Sequence, residues 1–260
     1  MTGDEAQDSW GSIIDDLMEL IDNAPSPPDR LVGDWTRKDQ AEARAVAVAW
    51  GWLIRMRRTS SAVLLLEGAN YGVESRPLVR SVVEHAIRLG WGAALEPHVF
   101  VEALLRMQKW SLEKTLEAAE KGWPLSADQV RNVEESSAEA SDEFRYLDTF
   151  RALANVVATN PKEFAGIYQY WLLETQVSHP TMSSAAAYLS ANADGFGTSL
   201  HHVPRPDGAR TDVLLPSLLW FAAGAYGVIS GLTHYFEEPL NDFGARMASL
   251  GVPPLEGVAS

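Results

Sequence analysis

Four charged residues recur at every fourth position of "RPLVRSVVEHAIRLGW": Arg76, Arg80, Glu84 and Arg88. On an ideal helix a four-residue step drifts by only about 40°. Arg76, Arg80 and Glu84 therefore form one stripe, and Arg80–Glu84 is an i,i+4 pair. Their neighbours Leu78, Val79, Val82, Val83, Ile87, Leu89 and Trp91 are apolar around the helix, so the stripe is expected to be at least half buried. A buried charge must be paired and hydrogen-bonded or it costs several kcal/mol. Glu84 is thus expected to hold Arg80 and a further partner from another helix. A structural ion pair is the commoner use of such a stripe, catalysis the rarer one. A solvated stripe, with Arg88 on it, is the third reading.

The partner helix with the most chemistry is "YQYWLLETQVSHPT", Tyr168 to Thr181. His179 ends it, and a histidine there is favoured when protonated by the helix C-terminus alone. The following Pro180 sets the imidazole against a rigid stop. If Arg80, Glu84 and His179 converge, Glu84 or His179 can serve as general acid or base. Arg76, Tyr170 and Thr181 would then bind a small anionic or nucleotide-like ligand. The other histidines are weaker: His201–His202 lie in a loop expected at the surface, and His234 reads as a core histidine. No metal-ligand spacing, Gly-rich phosphate loop, nucleophile elbow or dinucleotide fingerprint is present, so no metal and no cofactor is expected.

These groups must be positioned by helices. "SWGSIIDDLMELIDNA" predicts a first helix capped by Ser9, and its "DDLME" reads as a solvated acidic face. The Pro-rich "PSPPDR" follows. Residues 1–35 are therefore read as a peripheral N-terminal helix and linker, and 36–260 as the helical-bundle domain. Lys38 to about Glu67 is helical, with an interruption expected near Thr59–Ser61; its "RMRR" reads as a solvated turn. Pro77 marks the start of the charged helix, which stops around Leu95–Pro97. Further helices are predicted at His98–Lys121, Ser126–Tyr146 with a Ser126/Gln129 capping box, Tyr146–Thr159, and from Pro161 to near Pro180. "HPTMSSAAAYLSAN" is expected to restart a short helix, and "ADGFGTSLHHVPRPDGARTD" to be loop. No segment alternates as a strand does.

Val213 to Phe236 carries no Lys, Arg, Asp or Glu and is long enough to cross a bilayer. Pro216, Ser217, Ser230, Thr233 and His234, with Glu237–Glu238 at its end, favour a buried central helix over a membrane span. Its "GVISG" places small residues for close packing. The expected fold is a single-domain, all-α multi-helix bundle with this apolar helix near the C-terminus.

Composition excludes several classes. The formal net charge of −14 argues against broad, sequence-independent nucleic-acid binding. With no cysteine, disulfides, thiolate nucleophiles and Cys-ligated metals are excluded, and a cytoplasmic location is expected. The acidic, polar N-terminus has no secretory signal pattern.

At two places the chain resembles an uncharacterised bacterial family of helical proteins, a domain of unknown function. The resemblance rests on "ESRPLVRSVVEHAIRLGW" and "YWLLETQVSHPT", and spans roughly Gln40 to Glu237. Members carry Arg-x-x-x-Glu on one helix and Tyr…His-Pro-Ser/Thr on a later one. This implies Arg80, Glu84, Tyr170, His179 and Thr181 as matching positions; Glu174 stands where members commonly have Ser. A looser resemblance is to HEPN domains, helical bundles that often act as dimeric, metal-independent ribonucleases in toxin and phage-defence systems. Their Arg, four to six residues, then His is met by Arg80 and His85 in "RSVVEH". On a regular helix that step turns the two side chains about 140° apart. This resemblance implies Arg80 stabilising a phosphate transition state, His85 or His179 as base, and RNA as partner. A third reading is a non-enzymatic scaffold, with the Arg–Glu ladder fixing helix register. A homodimer is plausible in each case.

Overall fold

A computed structural model describes residues 9–25, 37–122, 125–131, 152–192, 197–205 and 211–251. The domain boundary at 35/36, the Pro-rich linker after Pro25, the Ser126–Tyr146 helix beyond 131 and the start of the Tyr146–Thr159 helix lie outside them.

Helix α1 (Trp10–Asp22) begins where predicted: Ser9 accepts from the Ser12 amide, and Ser12 reciprocates. Its Ile13, Leu17 and Ile21 are fully buried in the same core as the rest of the chain. The expectation of a peripheral N-terminal helix is therefore corrected, because this apolar face packs on the C-terminal helices. Tyr235 Oη donates to the Leu20 carbonyl at 3.0 Å, and Arg246 pairs with Asp16 at 2.8 Å.

Helix α2 (Arg37–Gly68) runs unbroken through Thr59–Ser61. Ser61 donates to the Arg57 carbonyl one turn back, and a mid-helix hydroxyl satisfied in this way need not end a helix. "RMRR" is not a turn either: Met56 is core, and Arg57 reaches Asp22 of α1. Helices α3 (Arg76–Ala93) and α4 (Pro97–Glu120) each start with proline in the first turn. The Ser126/Gln129 capping box forms, at 2.8 and 3.2 Å. Helices α5 (Leu153–Thr159), α6 (Pro161–Ser178) and α7 (Met182–Ala186) follow.

A short antiparallel hairpin, β1 (Leu189–Ala191) and β2 (Thr198–Leu200), then corrects the all-loop, no-strand expectation. Three-residue strands are too short to show alternation, which is why the pattern concealed them.

The apolar helix is α8 (Thr211–Ser230), packed among α1, α2, α3 and the final helix α9 (Thr233–Ser249). It is long and apolar enough to cross a membrane by length and composition, and it is mostly buried inside the fold. It stops earlier than predicted, because Gly231 adopts φ 71° and turns the chain. The chain after this turn forms the amphipathic α9. The two glycines of "GVISG" thus do different work. Gly231 is the turn, and a Cβ on Gly227 would stand 3.3 Å from the Phe236 ring of α9. The α3–α8 crossing is closer still: a Cβ on Gly90 would fall 2.3 Å from Phe221. The molecule is an all-α bundle around a buried apolar helix near the C-terminus.

Candidate functional site

The charged stripe of α3 lies against α6, and the two helices run antiparallel. Arg76 meets Glu174, Arg80 meets Thr175 and Trp171, and Gly90 approaches Phe164. Arg76 Nη1 donates to Glu174 Oε1 at 2.8 Å, with both side chains 7% exposed. Arg80 Nε donates to Thr175 Oγ1 at 3.0 Å, and its guanidinium stands 5.1 Å from the Trp171 ring centre. Thr175 Oγ1 donates in turn to the Trp171 carbonyl at 2.6 Å, and Tyr168 stacks on Trp171 with rings 12° apart. This seam is a closed ladder of ion pair, hydrogen bond and cation–π contact.

A cross-helix partner for the buried charge exists, but the identities differ from those expected. Glu84 pairs with Arg88, at 3.0 Å along its own helix, and Glu174 is the carboxylate that crosses. Arg88 is itself buried, not solvated, and burial lowers its pKa while Glu84 opposes that. The antiparallel register places Glu84 and His179 beyond opposite ends of the Arg76–Glu174 contact. At 1.5 Å per residue they are about 20 Å apart along the helix axes, so Arg80, Glu84 and His179 do not converge. His179 is an exposed C-cap. Thr181 caps α7 and donates to the Gln176 carbonyl. Tyr170 is exposed on the outer side of α6. Of the six predicted site residues, the structure brings Arg76 and Arg80 together on one face of α6 and leaves Glu84, Tyr170, His179 and Thr181 outside that contact.

Arg80 and His85 point to different helices, as the 140° step requires. His85 meets the edge of Trp52 on α2, and its Nδ1 bonds the Ser81 carbonyl at 2.7 Å. Burial lowers its pKa most, with Arg55 and Arg88 adding to that against Ser81 and Glu84.

The described cavity with the most varied chemistry lies just before the first turn of α3, at the α2–α3 corner. It encloses about 860 Å³ and is lined in part by Glu67, Tyr71, Glu74, His202, Arg205 and Asp212. None of these was predicted as a site residue. The corner is built by local rules. Asn70 takes the left-handed conformation (φ 66°) that ends α2, its amide bonding the Glu67 carbonyl and the Tyr71 amide the Leu66 carbonyl. This six-to-one, five-to-two pattern is the helix stop glycine or asparagine makes. It holds Tyr71 at the rim, 54% exposed. The loop that follows the hairpin, His202–Arg205, supplies the opposite wall. Tyr188 donates to Glu74, which raises the tyrosine pKa, and His201 bonds the Tyr188 carbonyl through its amide at 2.9 Å. Thr211 donates to Glu67 at the start of α8.

The cleft's charges are unequal. Arg205 turns its guanidinium to the Ala186 carbonyl at 3.0 Å, closing the end of α7. Glu67, Glu74 and Asp212 remain as carboxylates on the walls, Glu74 and Asp212 exposed. The readable signal was "GAN" followed by Tyr71 and Glu74; the hairpin's contribution had none.

The fold and site define a class, an all-α bundle with a closed polar seam and an open acidic corner cleft. Comparison of the chain with protein-family models, curated proteins and solved structures gives no match.

Proposed function

We propose that this chain is a small-ligand-binding bundle protein whose corner cleft takes a small organic cation. The observation that carries the reading is the cleft itself: about 860 Å³, within the size of small-molecule sites, with carboxylates on three segments and an exposed tyrosine ring. Carboxylates attract an ammonium by charge, and Tyr71 offers the face of its ring to the same group. Val73, Val203 and Pro204 supply apolar area for the rest of the ligand. Arg76 and Arg80, the arginines expected to take an anionic or nucleotide-like ligand, are engaged inside the seam. The seam then acts as the strut that holds α3, and with it the corner, in register.

Thermal melts with benzyltrimethylammonium, spermidine and adenosine monophosphate test this. A ligand that binds only the folded state raises Tm. The expected result is a rise with benzyltrimethylammonium that shrinks with salt and is lost in Glu74→Gln/Asp212→Asn, with none from the nucleotide. A rise with the nucleotide alone would reverse the charge assigned to the ligand. No rise with either cation would sink the proposal.

A further inference from the structure

We infer that the outer face of α6 is a self-association surface, where a second copy of this chain packs antiparallel about a twofold axis through Gln169. The inference is independent of what the cleft binds. α6 carries Arg76 and Arg80 contacts on its inner half, while its outer half is exposed and combines apolar side chains with neutral glutamines and one lysine. Leu172 is 42% exposed, Leu173 57%, and Met182 just beyond the helix 82%. Among the exposed positions of α6 Lys162 is the only charge, and Glu163, partly buried at the edge of this face, accepts a hydrogen bond from Asn160. On a chain of net charge −14, a second copy is repelled from most faces and accepted best on one poor in carboxylates.

The face is also complementary to itself. A twofold axis at Gln169 pairs positions whose numbers are equidistant from it. Leu172 then faces Gly166 of the second copy, and Leu173 faces Ala165, so large side chains sit over small ones. Lys162 faces Gln176, which avoids a like-charge contact, and the two Gln169 amides meet at the axis, where each can donate and accept. Gly166 has no other structural account. Nothing lies within 4 Å of where its Cβ would be, yet glycine inside a helix costs about 1 kcal/mol against alanine. A close helix approach explains it.

The area sets the strength. An 18-residue helix is about 27 Å long, and half its side-chain cylinder offers roughly 500 Å² per copy. Stable interfaces bury about 800 Å² per partner. The dimer is therefore a weak one, reversible on dilution.

Sedimentation equilibrium over a concentration series is the first measurement, and a monomer–dimer equilibrium is the expected result. A chain monomeric up to about 1 mM, where affinity becomes negligible, overturns the inference. Gly166→Leu has room within its own chain and adds helix propensity, so it should keep or raise Tm while shifting the chain to monomer. A Gly166→Leu chain that dimerises like the parent removes α6 from the interface. The chain has no cysteine, which makes a single-cysteine trap clean. Gln169→Cys should cross-link to its own copy under mild oxidation, and Val228→Cys, exposed at the end of α8, should not. Equal cross-linking of the two would mean random collision and reject the axis.

Discussion

Two neighbouring regions around α3 use charge in opposite ways. In the α3–α6 seam, Arg76 and Glu174 are buried and neutralise each other, and Arg80 is held between a hydroxyl and an indole. At the α2–α3 corner, carboxylates stand on the walls of an open cleft while the nearby guanidinium of Arg205 is turned to a carbonyl. Both regions combine charged and aromatic residues. What separates them is water: where it is excluded, every charge must be answered within the fold, and where it is admitted a ligand can answer instead. Charged residues on an apolar helix thus identify the strut here, and the open cleft lies just before the helix begins.

The largest effect should come from breaking the seam. Glu174→Ala leaves Arg76 without its buried carboxylate partner and should cost about 3–5 kcal/mol in urea denaturation. Replacing both partners by apolar groups, Arg76→Met/Glu174→Leu, should recover most of that loss, because removing a buried pair together is far cheaper than removing one half. If the double variant is as unstable as the single one, the seam is more than a strut. The cleft should behave in the reverse sense. Glu74→Gln/Asp212→Asn should change stability by no more than about 0.5 kcal/mol, as exposed substitutions do. Titration calorimetry should nevertheless show benzyltrimethylammonium binding at least about tenfold weaker, equivalent to about 1.4 kcal/mol. A stability loss comparable to that of Glu174→Ala would erase the contrast between the two regions.

The smallest effect concerns pH. Burial, with Arg55 and Arg88, holds the folded-state pKa of His85 below its ordinary value. The unfolded chain then binds the proton more readily, so stability rises with pH across that interval. The contribution is complete above the unfolded histidine pKa, about 6.5, and is lost as pH falls through the folded value. The urea midpoint of the parent should fall relative to that of His85→Phe as pH falls through this window. Parallel curves would place His85 in water and not against Trp52.

The sequence alone determined the all-α class, the buried apolar helix, the Ser9 and Ser126 caps, and the rule that a charge on α3 needs a partner from another helix. Each depends on a local spacing or on the cost of burying charge, and both travel with the residues. It did not determine the partner. Glu84 and Glu174 are equally plausible on composition, and only the antiparallel register of α3 on α6 brings Glu174 to Arg76 and leaves Glu84 to Arg88. The cleft was hidden for the same reason. Its walls come from the α2–α3 corner and, more than a hundred residues later in the chain, from the loop after the hairpin and the start of α8. Local periodicity reports which face of a helix avoids water; which helix then covers that face, and where the cover ends, is decided by packing the whole chain.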